Sequence, residues 1–210
     1  MLKKNLKTMI ITSIVILLPI VFGLIMWDKL PTEMATHFDR NGEADGWSSK
    51  SFAIIGLPLF LLMVHWLCVA ITAADPKKQN ITNKMVTLIS WICPTVSIFG
   101  CGATYLYAFD NSINTTKMGL LLLGCIFLVI GNYMPKMKQN YSLGLKVPWT
   151  LHSEENWNRT HRMGGYVFMI SGIVMFIAAF SELFWLIVVA LAVSAFLPMI
   201  YSFILYKRGI

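Results

Sequence analysis

Residues 131–165 read GNYMPKMKQNYSLGLKVPWTLHSEENWNRTHRMGG, a block dense in Trp, Pro, Asn, Lys, Arg and His between two long apolar runs. Each flanking run is long enough to cross a bilayer, because about 30 Å of hydrocarbon at 1.5 Å per helical residue needs about 20 apolar residues. The block therefore sits at a membrane surface. Working outward, the same test gives six spans, at 8–27, 52–73, 85–109, 118–134, 164–181 and 183–206. Only Ser181-Glu182 separates the last two, yet an uninterrupted run would be twice a bilayer's thickness, so a hairpin is expected there.

Composition agrees. The 210 residues are 57% hydrophobic and 13% charged, with mean hydropathy +0.66, against roughly 25% charged in soluble domains. The expected fold is an all-α membrane protein forming one integral membrane domain over 1–210. Lys3, Lys4 and Lys7 ahead of the first run resemble a signal peptide, but that run is long and no small-x-small cleavage site follows, so it reads as a retained span.

Orientation follows from the basic loop residues. Lys3, Lys4, Lys7, Lys77, Lys78, Lys84, Lys136, Lys138, Lys146, Arg159, Arg162, Lys207 and Arg208 fall on one side, and only Lys29, Arg40, Lys50 and Lys117 on the other. Both termini are expected in the cytoplasm. The net charge of +7 then matches lipid headgroups, and no direct nucleic-acid binding is expected. Cys68, Cys93, Cys101 and Cys125 lie in spans without a C-x-x-C and read as small packing residues.

Two polar segments remain. The outer one, 28–51, centres on Asn41-Gly42, the strongest signal for a two-residue type I′ hairpin, whose central positions both need positive φ. A short outer β-hairpin with Trp27 and Trp47 as interfacial anchors is expected. Asp39, Asn41, Glu43 and Asp45 have calcium-loop spacing, but Ala44 and Lys50 stand where an EF-hand needs Gly and Glu.

The inner segment, 135–163, has sharper punctuation. Pro135 ends the fourth span, and Gly144 and Pro148 keep 139–150 irregular. Ser153 is an N-cap with Glu154 and Glu155 in the first turn. A short helix from Glu154 to about Arg162 is expected, with a bend at Gly164-Gly165 into the fifth span. Asn132, Pro135, Lys136, Asn140, Gly144, Pro148, Trp149, Thr150, Trp157, Arg159, Thr160, His161 and Arg162 exceed what an aromatic-basic surface belt needs. They read as a folded cytoplasmic lid, fixed by hydrogen bonds to irregular backbone, that presents a partner-binding face.

His65 is the ionisable residue well inside a span. It is either a functional intramembrane group or a neutral histidine bonded to a neighbouring helix through Ser90, Thr95 or Ser97. The spans contain no internal Asp, Glu, Lys or Arg, which weakens an ion-coupled transporter. No H-E-x-x-H, G-x-S-x-G or P-loop marks an enzyme; His152 with His161, or His37 with Asp39 or Asp45, is a weak metal signal. No catalytic residue, metal or cofactor is expected.

The 131–165 block closely resembles the signature of the SdpI/YfhL family, and 30–47 resembles the outer-loop motif L-P-x-x-[IM]-x-x-H-[FW]-x-x-x-G-x-x-D-x-[WY] that accompanies it. Leu30, Pro31, Met34, His37, Phe38, Gly42, Asp45 and Trp47 match. The resemblance implies a multi-pass protein of the bacterial cytoplasmic membrane, giving immunity to a secreted membrane-active killing peptide. It further implies a signalling role, in which the toxin-engaged protein holds a soluble repressor at the membrane. His37, Phe38, Gly42, Asp45 and Trp47 would then face the toxin. The alternative is a small-molecule or lipid transporter gated by the inner lid and His65.

Overall fold

A computed structural model describes residues 2–181 and 183–210, so Glu182 of the expected turn lies outside the described residues. The long helices are α1 (Leu2–Ile25), α2 (Leu57–Ala73), α3 (Asn83–Phe109), α4 (Thr115–Tyr133), α6 (Glu154–Ala179) and α7 (Trp185–Lys207), with a short α5 (Pro148–His152). Among the described residues six helices are long and apolar enough to cross a membrane. An antiparallel hairpin pairs β1 (Glu33–Phe38) with β2 (Ala44–Ser49).

The chain divides into two compact units, one of residues 2–70 with 86–119, the other of 71–85 with 120–210. In the first, Leu30, Met34, Ala53, Ile54, Cys101 and Tyr105 form a buried cluster. Gly23 permits it, since a Cβ there would meet Ile54 Cγ2 at 2.5 Å and the Tyr105 hydroxyl at 2.7 Å. The Tyr105 hydroxyl donates to the Pro19 carbonyl at 2.9 Å and Ser97 donates to the Ile16 carbonyl at 2.8 Å, tying α3 to α1. Ahead of Pro58 the helix widens into a five-residue π turn, Phe52–Gly56. A proline ring collides with the carbonyl four residues back, and a π turn accommodates it.

In the second unit α4 and α6 meet through paired glycines. A Cβ on Gly131 would lie 2.8 Å from the Gly165 carbonyl oxygen, and one on Gly165 2.8 Å from that of Gly131. One turn-pair along, Gly124 and Gly172 face each other's carbonyls at 3.0 and 2.9 Å. Small residues at such crossings let helix backbones touch where no hydrophobic effect drives them together. Between α6 and α7, the Ser171 and Ser194 hydroxyls bond each other at 2.8 Å and reach the Ala190 carbonyl.

Two local expectations change. The short helix ending near Arg162 is instead the first part of α6, which runs unbroken through Gly164-Gly165. Those glycines provide close packing rather than a bend: a Cβ on Gly164 would strike Met134 at 2.8 Å. The hairpin turn is not type I′, because no residue other than glycine has positive φ among the described residues, and Gly42 alone does here, at +89°. Asp39 and Glu43 pair across a three-residue loop, the Asp39 N–H donating to the Glu43 carbonyl and the Gly42 N–H to that of Asp39. A type I turn followed by a left-handed glycine is the usual form of that loop length.

Candidate functional site

The hairpin is fixed at both strands and tip. The Asp39 carboxylate accepts the Asn41 and Glu43 N–H groups at 2.8 and 3.0 Å, so its oxygens close the turn. The Thr116 hydroxyl donates to the Asp39 carbonyl at 2.7 Å, and Asn114 and Thr115 reach the Asn41 and Gly42 carbonyls. Phe38 packs edge-on against Tyr107, ring centres 5.0 Å apart, and the Tyr107 hydroxyl accepts the Ala44 N–H. Strand register slips at Thr36 and again at Asp45, and across it His37 Nδ1 meets Asp45 Oδ1 at 2.5 Å. Of the five outer candidates, Phe38 and Gly42 face the α3–α4 corner, His37 and Asp45 pair in the open, and Trp47 stands 56% exposed. The docking residues Tyr107, Asn114, Thr115 and Thr116 were not foreseen.

The 135–163 segment is ordered from within. Asn140, Thr150, Trp157, Thr160 and His161 are wholly buried. The Trp157 indole N–H donates to the Met137 carbonyl at 2.7 Å, and its ring stacks on His161 with centres 3.9 Å apart. His161 Nε2 accepts the Leu145 N–H at 3.0 Å, so that nitrogen carries no proton, and Nδ1 must be the one donating to the Trp157 carbonyl at 2.9 Å. The imidazole is thereby a neutral, single tautomer with no nitrogen left for a metal. Asn140 Oδ1 accepts the Ser142 and Leu143 N–H groups, bending the chain into an Asx turn. The Thr150 hydroxyl lies 2.9 Å from the Leu145 and Val147 carbonyls and accepts the Val147 N–H, closing the loop onto α5. Ser153 caps α6 through the Asn156 N–H.

Three further residues, absent from the sequence expectation, complete the network. Gln139 donates its amide to the Thr150 and Leu151 carbonyls and accepts Lys77 Nζ. Asp75, from the α2–α3 connection, accepts the Tyr141 N–H at 2.9 Å and the Ser142 hydroxyl. Burial pushes its carboxyl up, but the Ser142 hydroxyl and the Lys77 and Tyr141 N–H groups outweigh that and hold it below the usual range. Asn156 binds the Ser202 and Ile210 carbonyls through Nδ2 and the Thr160 and Ser202 hydroxyls through Oδ1. A lone acid in an otherwise basic loop was the available signal for Asp75.

Asn132, Pro135, Lys136, Pro148, Arg159 and Arg162 are exposed. Lys136 lies over the Tyr133 ring at 4.9 Å and Arg159 pairs with Glu155 at 2.5 Å. Trp149 rests on Phe203 and Tyr206, its buried indole N–H without a hydrogen-bond partner.

His65 is buried, and its Nε2 meets the Thr12 hydroxyl at 3.2 Å. The expected acceptors Ser90, Thr95 and Ser97 instead bond the carbonyls of Val86, Trp91 and Ile16. Among the described residues no three His, Cys, Asp or Glu groups gather as metal ligands.

Six spans with an ordered polar structure at two of their connections define a multi-pass membrane protein. The SdpI/YfhL protein family model matches residues 136–202, the ordered segment with α6 and most of α7, and a domain of unknown function (DUF1648) matches 14–62, the hairpin with its flanking helices. Over its C-terminal part the chain is thus similar to the SdpI/YfhL family, and it resides in the bacterial cytoplasmic membrane. It is similar to the immunity protein SdpI of Bacillus subtilis (strain 168), 25% identical over 214 residues, covering 98% of this chain and 97% of that protein. No solved structure matches.

Proposed function

We propose that this chain is an immunity protein that protects its bacterium from a secreted membrane-active peptide. It would receive that peptide on the outer hairpin and present the 135–163 segment to a soluble cytoplasmic repressor. The observation that carries the immunity reading is end-to-end similarity, over 98% of the chain, to a protein named for immunity. The hairpin supports a receiving role because docking on Tyr107, Asn114, Thr115 and Thr116 holds it rigid while Trp47 stays exposed. Rigid surfaces bind with less ordering cost. The inner segment supports a partner-reading role in the same way: hydrogen bonds of Asn140, Thr150, Trp157 and His161 order it from within, leaving Lys136, Arg159 and Arg162 outward.

A ligand on the outer face alters the inner one only by its difference in affinity between two states. No turnover is needed for any of this, and the His65–Thr12 contact between α2 and α1 supports a packing role for that histidine. Deleting the gene should sensitise the parent bacterium to peptides in its own culture supernatant, and re-expression should restore survival. Equal survival of deleted and restored strains would sink the immunity reading. Repressor recruitment is tested separately, by membrane fractionation of the cytoplasmic proteins retained with the wild-type chain and lost with Arg159→Ala/Arg162→Ala.

A further inference from the structure

Beneath the hairpin lies a crevice of about 480 Å³. Its origin is a register pair: Ala35 stands opposite Trp47, and a methyl group across from an indole leaves a hollow that a larger cross-strand neighbour would fill. Met34 and Ala35, 0% and 2% exposed, line its inner part; Trp47 and Phe109, 56% and 47% exposed, are its aromatic walls. Glu33 and Asn111 also line it. Pockets of this size hold a small organic group, so the crevice suits one large side chain and its neighbours, not a helix.

Among its lining residues Glu33 is the charged one. Asp39 is committed to turn N–H groups, Asp45 to His37, and Asp110 to Ser112. Lys50, the basic residue closing β2, is committed to the Trp27 carbonyl and ring. Among the described residues Glu33 makes no ion pair, leaving a carboxylate beside an aromatic hollow.

We infer that this crevice is the seat for a large apolar side chain of a cationic peptide, with Glu33 meeting the positive charge next to that side chain. This rests on the immunity reading for the source of the peptide, but not for the binding itself. The hollow is preformed, since Phe38, Ala44 and Asp39 are all anchored on the α3–α4 corner, so little ordering opposes entry.

The test uses the full chain in phosphatidylcholine nanodiscs and the probe N-acetyl-Lys-(5-fluoro-Trp)-Lys amide, followed by fluorine NMR line width. Broadening beyond that in empty discs is expected, with weaker broadening from the Glu-flanked analogue. Glu33→Gln should weaken the Lys-flanked probe about threefold, the scale of one exposed charge contact. Ala35→Leu, or Ala108→Leu should the first misfold, should abolish it by filling the hollow. Equal binding of both analogues would overturn the role of Glu33. Binding that survives both fillings, or none above empty discs because lipid occupies the crevice, would overturn the site. If filled variants bind no probe yet protect cells fully, the crevice is not the toxin seat and immunity stands. If gene deletion leaves survival unchanged while the probe still binds wild-type protein, immunity fails and the site stands.

Discussion

Gly144 and His161 occupy neighbouring space that admits no side chain between them: a Cβ on Gly144 would overlap His161 Nε2, the atom that accepts the Leu145 N–H. Gly144 also has φ +96°, a region that costs an L residue about 1–2 kcal/mol. One residue thus both turns the chain and clears room for the histidine that fastens the turn.

Gly144→Ala should therefore destabilise the protein by more than the backbone term, and part of that excess should vanish in a His161→Ala background, where nothing is left to strike. A double-mutant cycle on detergent-solubilised protein measures this. Equal costs in the two backgrounds would leave backbone strain as the whole effect.

Trp157 and Trp149 separate a satisfied indole from an unsatisfied one. Trp157→Phe removes the donor of the Met137 carbonyl and should cost about 1–3 kcal/mol, the penalty for a buried acceptor left unpaired. Trp149→Phe removes a buried N–H that had no partner and should be near neutral. Thermal unfolding of the pair checks the order; a larger loss for Trp149→Phe would contradict it.

Asp75 makes the 139–145 turn sensitive to acid. Its folded carboxyl titrates below the ordinary 3.8, so its contribution is fully present above that value and is lost as pH falls through the lower folded one. In wild type, protection of the Tyr141 amide from hydrogen exchange, taken relative to a free amide at the same pH, should fall as pH drops below the ordinary carboxylate range. Asp75→Asn should exchange faster already at neutral pH and lose this dependence. An unchanged acid response in Asp75→Asn would assign it to another group.

These contacts also mark where sequence reading stops. Six spans were legible because membrane thickness fixes length and composition, and Ser153 was legible because an N-cap is a local contract with Asn156. Asn41-Gly42 announced a hairpin, but its docking partners Asn114, Thr115 and Thr116 lie more than 70 residues away and left no local sign. Among the inner candidates, sequence named the buried Asn140, Thr150, Trp157 and His161. It missed Asp75, Gln139 and Asn156, each of which has partners far along the chain, at Tyr141, Lys77 and Ser202. Gly164-Gly165 was visible as a pair, yet glycine signals bending and close approach equally, and only the facing carbonyl of Gly131 decides between them.

That ambiguity supports a last prediction. Gly165→Ala and Gly131→Ala each place a methyl 2.8 Å from the opposing backbone carbonyl oxygen. Real Cβ atoms do not sit so close, and backbone cannot swing aside as a flexible side chain would, so α4 and α6 must separate. Parting them also weakens the Phe127–Phe168 stack, whose ring centres are 4.9 Å apart. Gly119, on the same helix α4, has nothing within 4 Å of an added Cβ. Gly119→Ala should gain up to about 1 kcal/mol of helix propensity, while the other two lose stability despite the same gain. If all three glycines respond alike to alanine, helix propensity governs and the close backbone crossing is not what holds α4 to α6. If only Gly119→Ala is tolerated, the glycines spaced seven apart on α4 and α6 are contact residues, and Gly124→Ala and Gly172→Ala should follow Gly131 and Gly165 with smaller losses, their carbonyl distances being 3.0 and 2.9 Å.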